Sequence, residues 1–210
     1  MPTTITRIQK TRLGRFSLYG EEGFLFSLDS ETYFSCGVEE GDTLTDNDLA
    51  ALREKSDARK AKDKALQYLS LRLYGERELY DKLCLKFDGP TSAAAVAEMV
   101  RLELLDDARF AAQKAAWLKT RHKSRREAQR QLAEKGVDRN LIDEALDEVY
   151  GDGDEREEID RLIRRSYAAK LENGKRDAVY AALCRRGFPP RTVREALNDW
   201  ADAQQEGWDE

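Results

Sequence analysis

The stretch SRREAQRQLAEKGV, residues 124–137, decides the fold because it recurs twice more along the chain. Its counterparts are GERELYDKLCLKF, residues 75–87, and KRDAVYAALCRRGF, residues 175–188. An apolar residue stands four positions before a shared leucine in each copy, which is the spacing of one face of an α-helix. The shared leucines lie 49 and 51 residues apart: Leu83, Leu132 and Leu183. The sequence therefore predicts the same half-buried helix three times, in tandem repeats.

Each copy also predicts one helix before it and one after it. In the second copy, residues 106–121 place Phe110 and Leu118 on one apolar helix face, and Asp138 fits the N-cap of the helix that follows. Gly136 and Gly187 come four residues after their leucines, where a left-handed C-cap favours glycine. The pattern predicts three tandem three-helix repeats, each buried mainly against its neighbours.

The first 36 residues predict strands instead of helices. RFSLYG, GFLFSL and TYFSC alternate in strand fashion, and YGEEG between the first two predicts a hairpin turn. Thr45 with Asp48 then predicts a capping box at the start of a helix. We expect a mainly α-helical fold, in which a small N-terminal antiparallel β-sheet precedes the three repeats in an elongated, curved array.

The expected domain organisation follows from these patterns. It comprises a β region, a connecting helix with the first repeat, the second repeat, the third repeat and a C-terminal tail. Their expected ranges are 1–45, 46–106, 107–150, 155–203 and 204–210. The segment GDGDE, residues 151–155, predicts a linker between the second and third repeats.

Composition predicts a soluble cytoplasmic protein. No apolar run is long enough to span a membrane, and the N-terminal segment lacks the apolar core of a secretory signal. The three cysteines, Cys36, Cys84 and Cys184, are odd in number and far apart, which is typical of a reducing cytosol. Cys84 and Cys184 hold equivalent repeat positions, and we expect both in the core. The net charge of −5 favours a monomer.

Asp106 and Asp107 are adjacent carboxylates, which raises the question of catalysis. They follow an apolar run and precede an amphipathic helix, which favours an N-cap and a first-turn acid. The acidic stretch 151–158 lacks the glycine that an EF-hand has at its sixth position. His122 is the only histidine, so histidine-based triads and zinc sites lack ligands. The sequence predicts no enzyme, no metal site and no cofactor.

Residues 109–139 hold 10 basic and 3 acidic side chains within this acidic chain. The partner-binding or DNA-binding candidates surround one predicted helix–helix corner: Lys119, Arg121, Lys123, Arg125, Arg126 and Arg130. One interpretation is a solvated charged face; the other is contact with phosphates or an acidic protein surface. The net negative charge and the absence of interleaved stacking aromatics argue against a dedicated nucleic-acid binder.

The order of four motifs resembles the RecX family of bacterial regulatory proteins: ALQYLSLRLYGERELYDKL, LLDDARFA, RREAQRQLAEKGV and RRGFPPRTVREAL. The resemblance implies a non-enzymatic protein that binds the filament of the RecA recombinase on DNA. Such a protein inhibits RecA ATPase, strand exchange and filament growth, and so modulates DNA recombination, DNA repair and the SOS response. RecA is the implied partner, with weak or indirect contact to DNA.

The resemblance also covers particular residues. Asp107, Arg109 and Phe110 match its Leu-Asp-Asp-x-Arg-Phe-Ala string, and Gly136 and Gly187 match its hinges; we expect them to serve the fold. Two other hypotheses remain open. A trihelical nucleic-acid-binding module would act without RecA and bind DNA with a steep salt dependence. A generic helical scaffold would have no effect on RecA.

Overall fold

The computed structural model describes residues 2–151 and 155–206. Most of this part of the chain is helical and follows a small N-terminal antiparallel sheet, so the predicted fold class is confirmed. The chain divides into two compact units, Met1–Leu105 and Asp106–Glu210. The repeat boundaries and the curvature of the array stay predictions.

The N-terminal strands form two small antiparallel sheets. Three strands pair in the order β2 (Arg7–Lys10), β3 (Phe16–Gly20) and β4 (Gly23–Leu28), and β1 (Thr3–Thr4) pairs separately with β5 (Thr43–Leu44). Gly20 pairs with Gly23 across a two-residue turn, which confirms the predicted hairpin. The two-residue strands β1 and β5 are too short for any periodicity to reveal.

The third predicted strand, TYFSC, is wrong, because this segment belongs to helix α1 (Ser30–Cys36). The carboxylate of Asp29 accepts hydrogen bonds from the N–H and the hydroxyl of Thr32, at 3.0 and 2.7 Å. At the other end, Gly37 has a left-handed backbone with φ 63°. An N-cap before the segment and a glycine after it thus enclose a short helix, and they outweigh the alternating pattern.

Three helices complete the first unit: α2 (Asp46–Leu69), α3 (Glu76–Cys84) and α4 (Gly89–Arg101). Thr45 and Asp48 form the predicted capping box at the start of α2. The apolar side of α3 packs against residues of α2 and α4 in one core cluster. Lys62 of α2 and Glu98 of α4 form an ion pair of 3.5 Å beside that cluster.

The second unit holds the other two repeats. Asp106 accepts a hydrogen bond from the N–H of Arg109 at 2.9 Å, so the carboxylate pair does mark a helix start. Asp138 caps its helix as predicted, and Pro190 begins the last one. A π-helical turn, Ile163–Tyr167, joins α8 (Glu155–Leu162) to α9 (Ala168–Glu172). The other helices are α5 (Asp107–Thr120), α6 (Arg125–Glu134), α7 (Arg139–Tyr150), α10 (Arg176–Cys184) and α11 (Pro190–Glu206).

Two predicted segments fall partly outside the described residues. Of the linker GDGDE, residues 152–154 are not described. The expected tail at 204–210 begins too early, because α11 continues to Glu206; residues 207–210 are not described. Within the described ranges, no helix combines the length and the apolar character that crossing a membrane requires.

The buried helix face is repeated as predicted. The shared leucine and the residue four positions before it have 0% exposure in every repeat: Leu79, Leu83, Ala128, Leu132, Val179 and Leu183. The next position along the chain differs, since Cys84 is exposed and Cys184 is only half-buried. An α-helix turns by about 100° per residue, which carries that position to the edge of the buried face. The prediction of a core position is therefore wrong for Cys84, whereas Cys184 packs against the edge of the third repeat's core.

The second and third repeats meet at the N-terminus of α6. The N–H of Ser124 donates to the carbonyl oxygen of Arg186 at 2.9 Å, and its hydroxyl accepts from the N–H of Glu127 at 3.1 Å. A capping box with Glu127 is thus only half formed, because the third repeat takes the Ser124 N–H. Gly187 permits this approach: it has φ 94°, and a Cβ there would lie 2.6 Å from the Ser124 hydroxyl oxygen.

Replacing Gly187 with alanine tests this junction. The substitution combines a left-handed backbone with a steric clash, so we expect it to lower the free energy of unfolding by roughly 2–5 kcal/mol. Gly174 is a matched control, because it has φ 71° and open space around it. Its replacement with alanine should cost only about 1 kcal/mol. Urea unfolding of both variants measures the difference, and equal losses would contradict a close contact at Gly187.

Candidate functional site

The six predicted cations surround the short turn between α5 and α6. His122 in this turn has a left-handed backbone with φ 53°. The N–H groups of His122 and Lys123 donate to the carbonyl oxygens of Lys119 and Leu118, at 2.8 and 3.1 Å. This tight turn brings the end of α5 and the start of α6 together. We refer to Lys119, Arg121, Lys123, Arg125, Arg126 and Arg130 as the basic corner.

Two lysines of the basic corner bind backbone oxygens within the same unit. The Lys119 ammonium donates to the carbonyl oxygen of Val149 in α7. The Lys123 ammonium donates to the carbonyl oxygen of Arg185 at 3.0 Å, which ties the turn to the third repeat. Each lysine places its charge at the end of a helix, where carbonyl groups lack partners in the helix itself. These two bonds link the turn to the end of α7 and to the end of α10.

Two arginines of the basic corner are engaged in ion pairs. Arg125 pairs with Asp147 of α7, with an N–O distance of 2.5 Å. Arg130 pairs with Glu127 and Glu134 along α6. The hydrogen bonds from Arg130 are the largest of the contributions that lower the pKa of Glu127 below its usual value. Much of the positive charge of α6 is therefore balanced locally, which the sequence pattern did not reveal.

Arg121 contributes to a different arrangement, centred on Trp117. Its guanidinium carbon lies 4.6 Å from the centroid of the Trp117 ring, and the Lys114 ammonium lies 4.3 Å from it. Spacings of three and four residues put the three side chains on one face of α5. Trp117 is 47% exposed, so one aromatic ring stands beside the basic corner, although none is interleaved among residues 119–130. The available signal was the position of Trp117, directly before Leu118 and so off the buried face.

Arg126 differs from the other arginines of α6. It is exposed, and it forms no ion pair with residues 2–151 and 155–206. It lies in the first turn of α6, next to Arg125, whose charge is balanced by Asp147. Arg126 thus keeps a full positive charge in solvent, close in sequence to the Trp117 face. Two features of this region are thus exposed to solvent: the charge of Arg126, and the Trp117 ring between Lys114 and Arg121.

A cavity of about 310 Å³ separates the turn from α8. His122 lines it, with Nδ1 3.4 Å from a carboxylate oxygen of Glu158. The Tyr150 hydroxyl donates to the carbonyl oxygen of Lys123 at 3.2 Å. Burial and then the charge of Glu158 raise the pKa of Tyr150 to about 12, so the phenol remains a donor at neutral pH. Side chains of both charge signs line the cavity, which lies between the second and third repeats.

The residues of the family motif are distributed between core and surface. Phe110 is buried in the core of the second repeat, and Asp107 lies in the first turn of α5. The N–H of Arg109 takes part in the cap, while its side chain is exposed. Gly136 and Gly187 both have positive φ, 77° and 94°, as a left-handed position after a helix requires. Their contribution to binding stays a hypothesis.

Comparison with known proteins matches the first two repeats to models of one family. Family models of the first and second three-helix domains of RecX match residues 61–99 and 106–146. The regulatory protein RecX of Caldanaerobacter subterraneus subsp. tengcongensis is 26% identical over 196 residues, covering 92% of this chain and 98% of the relative. That of Staphylococcus aureus is 26% identical over 210 residues, covering 97% of this chain and 76% of the relative.

Solved structures share the fold. A crystal structure of regulatory protein RecX superimposes with a TM-score of 0.60 at 22% identity, covering 94% of this chain and 99% of that chain. The crystal structure of RecX from Lactobacillus salivarius gives a TM-score of 0.52 at 22% identity, covering 68% and 96%. At 22% identity, these matches show a shared arrangement of helices and strands.

Arg125 and Arg126 can be separated by their effects on stability. Glutamate at either position gains similarly from the dipole of α6, but at position 125 it would face Asp147. We expect the free energy of unfolding of Arg125→Glu to be about 1 kcal/mol lower than that of Arg126→Glu. Urea unfolding measures the difference, and adding Asp147→Lys to Arg125→Glu should recover it. Equal stability of the two single variants would show that the Arg125–Asp147 pair contributes nothing.

Proposed function

This chain belongs to the RecX family, and we propose that it is a regulatory protein that binds the RecA–DNA filament. Bound there, it inhibits RecA ATPase, strand exchange and filament growth, and so modulates recombination and the SOS response. The relatives are named regulatory proteins, which supports regulation as the general role. RecA as the partner rests on the likeness of LLDDARFA and RREAQRQLAEKGV to the family motifs.

The exposed Trp117 is the observation that carries the proposed contact. Tryptophan and arginine are enriched among the residues that dominate protein–protein binding energy. Trp117 is already fixed between two cations, so little side-chain freedom is lost when a partner covers it. Arg126 adds a solvent-exposed charge for an acidic partner surface. We propose Trp117, Arg121 and Arg126 as the primary contacts of the basic corner.

The other four cations of the basic corner have an indirect role in this proposal. Lys119, Lys123, Arg125 and Arg130 hold α5, α6 and the third repeat in place, and so position the contact face. The protein acts as a cytoplasmic monomer without catalysis or cofactor, and its contact with DNA at this corner is weak or indirect.

Inhibition of the single-stranded-DNA-dependent ATPase of RecA tests the proposal. The wild-type protein, titrated at fixed RecA and DNA, should inhibit at levels below one per RecA. Trp117→Ala removes an interface anchor worth about 2 kcal/mol, so half-inhibition should need roughly thirtyfold more protein. Arg126→Glu should weaken inhibition in the same direction, without loss of helicity in circular dichroism.

A matched control has the same charge change elsewhere. Arg165 is exposed on the π-helical turn, and Arg165→Glu should leave half-inhibition unchanged. No inhibition by wild-type protein, even in excess over RecA, would remove the proposed function. Inhibition that Trp117→Ala and Arg126→Glu both leave intact would place the contact elsewhere on the chain.

A further inference from the structure

One end of the N-terminal sheet carries two exposed cations, Lys10 and Arg12. Residues 7–15 contain two further basic side chains, but Arg7 lies over the Tyr19 ring at the opposite end of β2, and Arg15 donates to the carbonyl oxygen of Ser27 at 2.7 Å. Lys10 is the last residue of β2, and Arg12 lies in the turn to β3. The N–H of Thr11 donates to the carbonyl oxygen of Arg15 at 2.7 Å and closes that turn. The turn projects its cations beyond the end of the sheet.

Three aromatic rings stand beside these cations. The rings of Phe16 in β3 and Tyr33 in α1 are stacked, with centroids 4.0 Å apart and planes 12° apart. The Phe34 ring lies 5.5 and 5.3 Å from their centroids and is inclined by 73° and 62°. It is nevertheless 73% exposed. Phe34 is therefore supported by two rings and offers most of its own surface to solvent.

The nearby cations are available, whereas the nearby acids are not. Lys10 and Arg12 are exposed and form no ion pair within the described ranges, and the Lys10 ammonium lies 5.7 Å from the Phe16 centroid. Asp29 accepts hydrogen bonds from Thr32 as the cap of α1. Glu31 forms an ion pair of 2.9 Å with Arg59 of α2. Asp29 and Glu31 are thus engaged in bonds of their own, and neither forms an ion pair with Lys10 or Arg12.

We propose that this end of the sheet binds single-stranded nucleic acid directly, with a base stacked on Phe34 and phosphates near Lys10 and Arg12. Proteins that bind single strands without sequence preference combine stacking aromatics with a cationic surface. A base in a duplex is stacked on its neighbours, so an unpaired strand supplies the free face that Phe34 fits. The inference concerns the first unit and goes beyond the proposed contact with RecA.

The two ends of the strands provide a built-in comparison. Phe24 is the second residue of β4 at the opposite end, is 60% exposed, and lies just after the acidic pair Glu21 and Glu22. Five or six strand residues separate these ends, a distance of about 15–20 Å. Phe24 matches Phe34 in chemistry and exposure, but its ring packs edge-on against Tyr19, whose own ring is covered by Arg7 at 4.1 Å, and the turn before it is acidic. We therefore expect a single-stranded nucleic acid to bind at Phe34 in preference to Phe24.

Fluorescence anisotropy of the full chain with a labelled oligothymidylate of about 20 nucleotides, without RecA, tests the inference. Phe34→Ala should weaken binding about five- to a hundredfold, the effect expected for removing one stacked base. Phe24→Ala should leave binding unchanged. The double variant Lys10→Ala/Arg12→Ala should reduce the slope of log affinity against log salt by about 0.7 for each phosphate that the protein no longer neutralises. Circular dichroism checks that the variants remain folded.

Several outcomes would overturn the inference. The wild-type chain could fail to bind the oligonucleotide at low salt, or Phe34→Ala could bind as well as wild type. Binding that disappears with Trp117→Ala and persists with Phe34→Ala would move the nucleic-acid contact to the basic corner. Because RecA is absent from the assay, its result is independent of ATPase inhibition, and either proposal can fail while the other stands.

Discussion

The middle helix of each repeat is too short to be stable by itself, and the fold depends on the side chains that cover its apolar face. Helices α3, α6 and α10 have 9, 10 and 9 residues, whereas isolated helices shorter than about 12–15 residues are marginal in water. Two fully buried side chains, four residues apart, anchor each one. Burial of a side chain such as leucine contributes roughly 1.5–3 kcal/mol, so these contacts decide whether each repeat forms.

The basic corner illustrates how charge in a sequence differs from charge on a surface. Ten basic and three acidic side chains in residues 109–139 suggest a strongly positive face. Carbonyl groups and carboxylates of the same unit engage Lys119, Lys123, Arg125 and Arg130, several of them far away in the sequence. The positive charge that remains available to a partner lies at Arg126 and around Trp117. Recognition at such a corner would depend on shape and aromatic contact as well as on net charge.

The sequence predicted those features that arise from local patterns. The repeated helix face, the caps at Thr45, Asp106 and Asp138, and the hairpin at Gly20–Gly23 all follow from spacings of a few residues. The errors have a common origin in competition between signals. The alternation in TYFSC favours a strand, but the N-cap at Asp29 and the left-handed glycine at Gly37 favour a helix, and the segment is helical. The ion pairs and the Ser124–Arg186 bond depend on tertiary contacts, for which a single sequence carries no periodic signal.

The bond between Ser124 and Arg186 also bears on synthesis of the chain. Its two residues are 62 positions apart, so the N–H of Ser124 is made well before its acceptor. At about 5–20 residues per second, translation of the intervening segment takes roughly 3–12 s. During that interval the second repeat can assemble its own core, but water must bind the donor and the surface that later faces Gly187 is open. A chain that has not yet reached residue 186 therefore lacks the acceptor that joins its second repeat to its third.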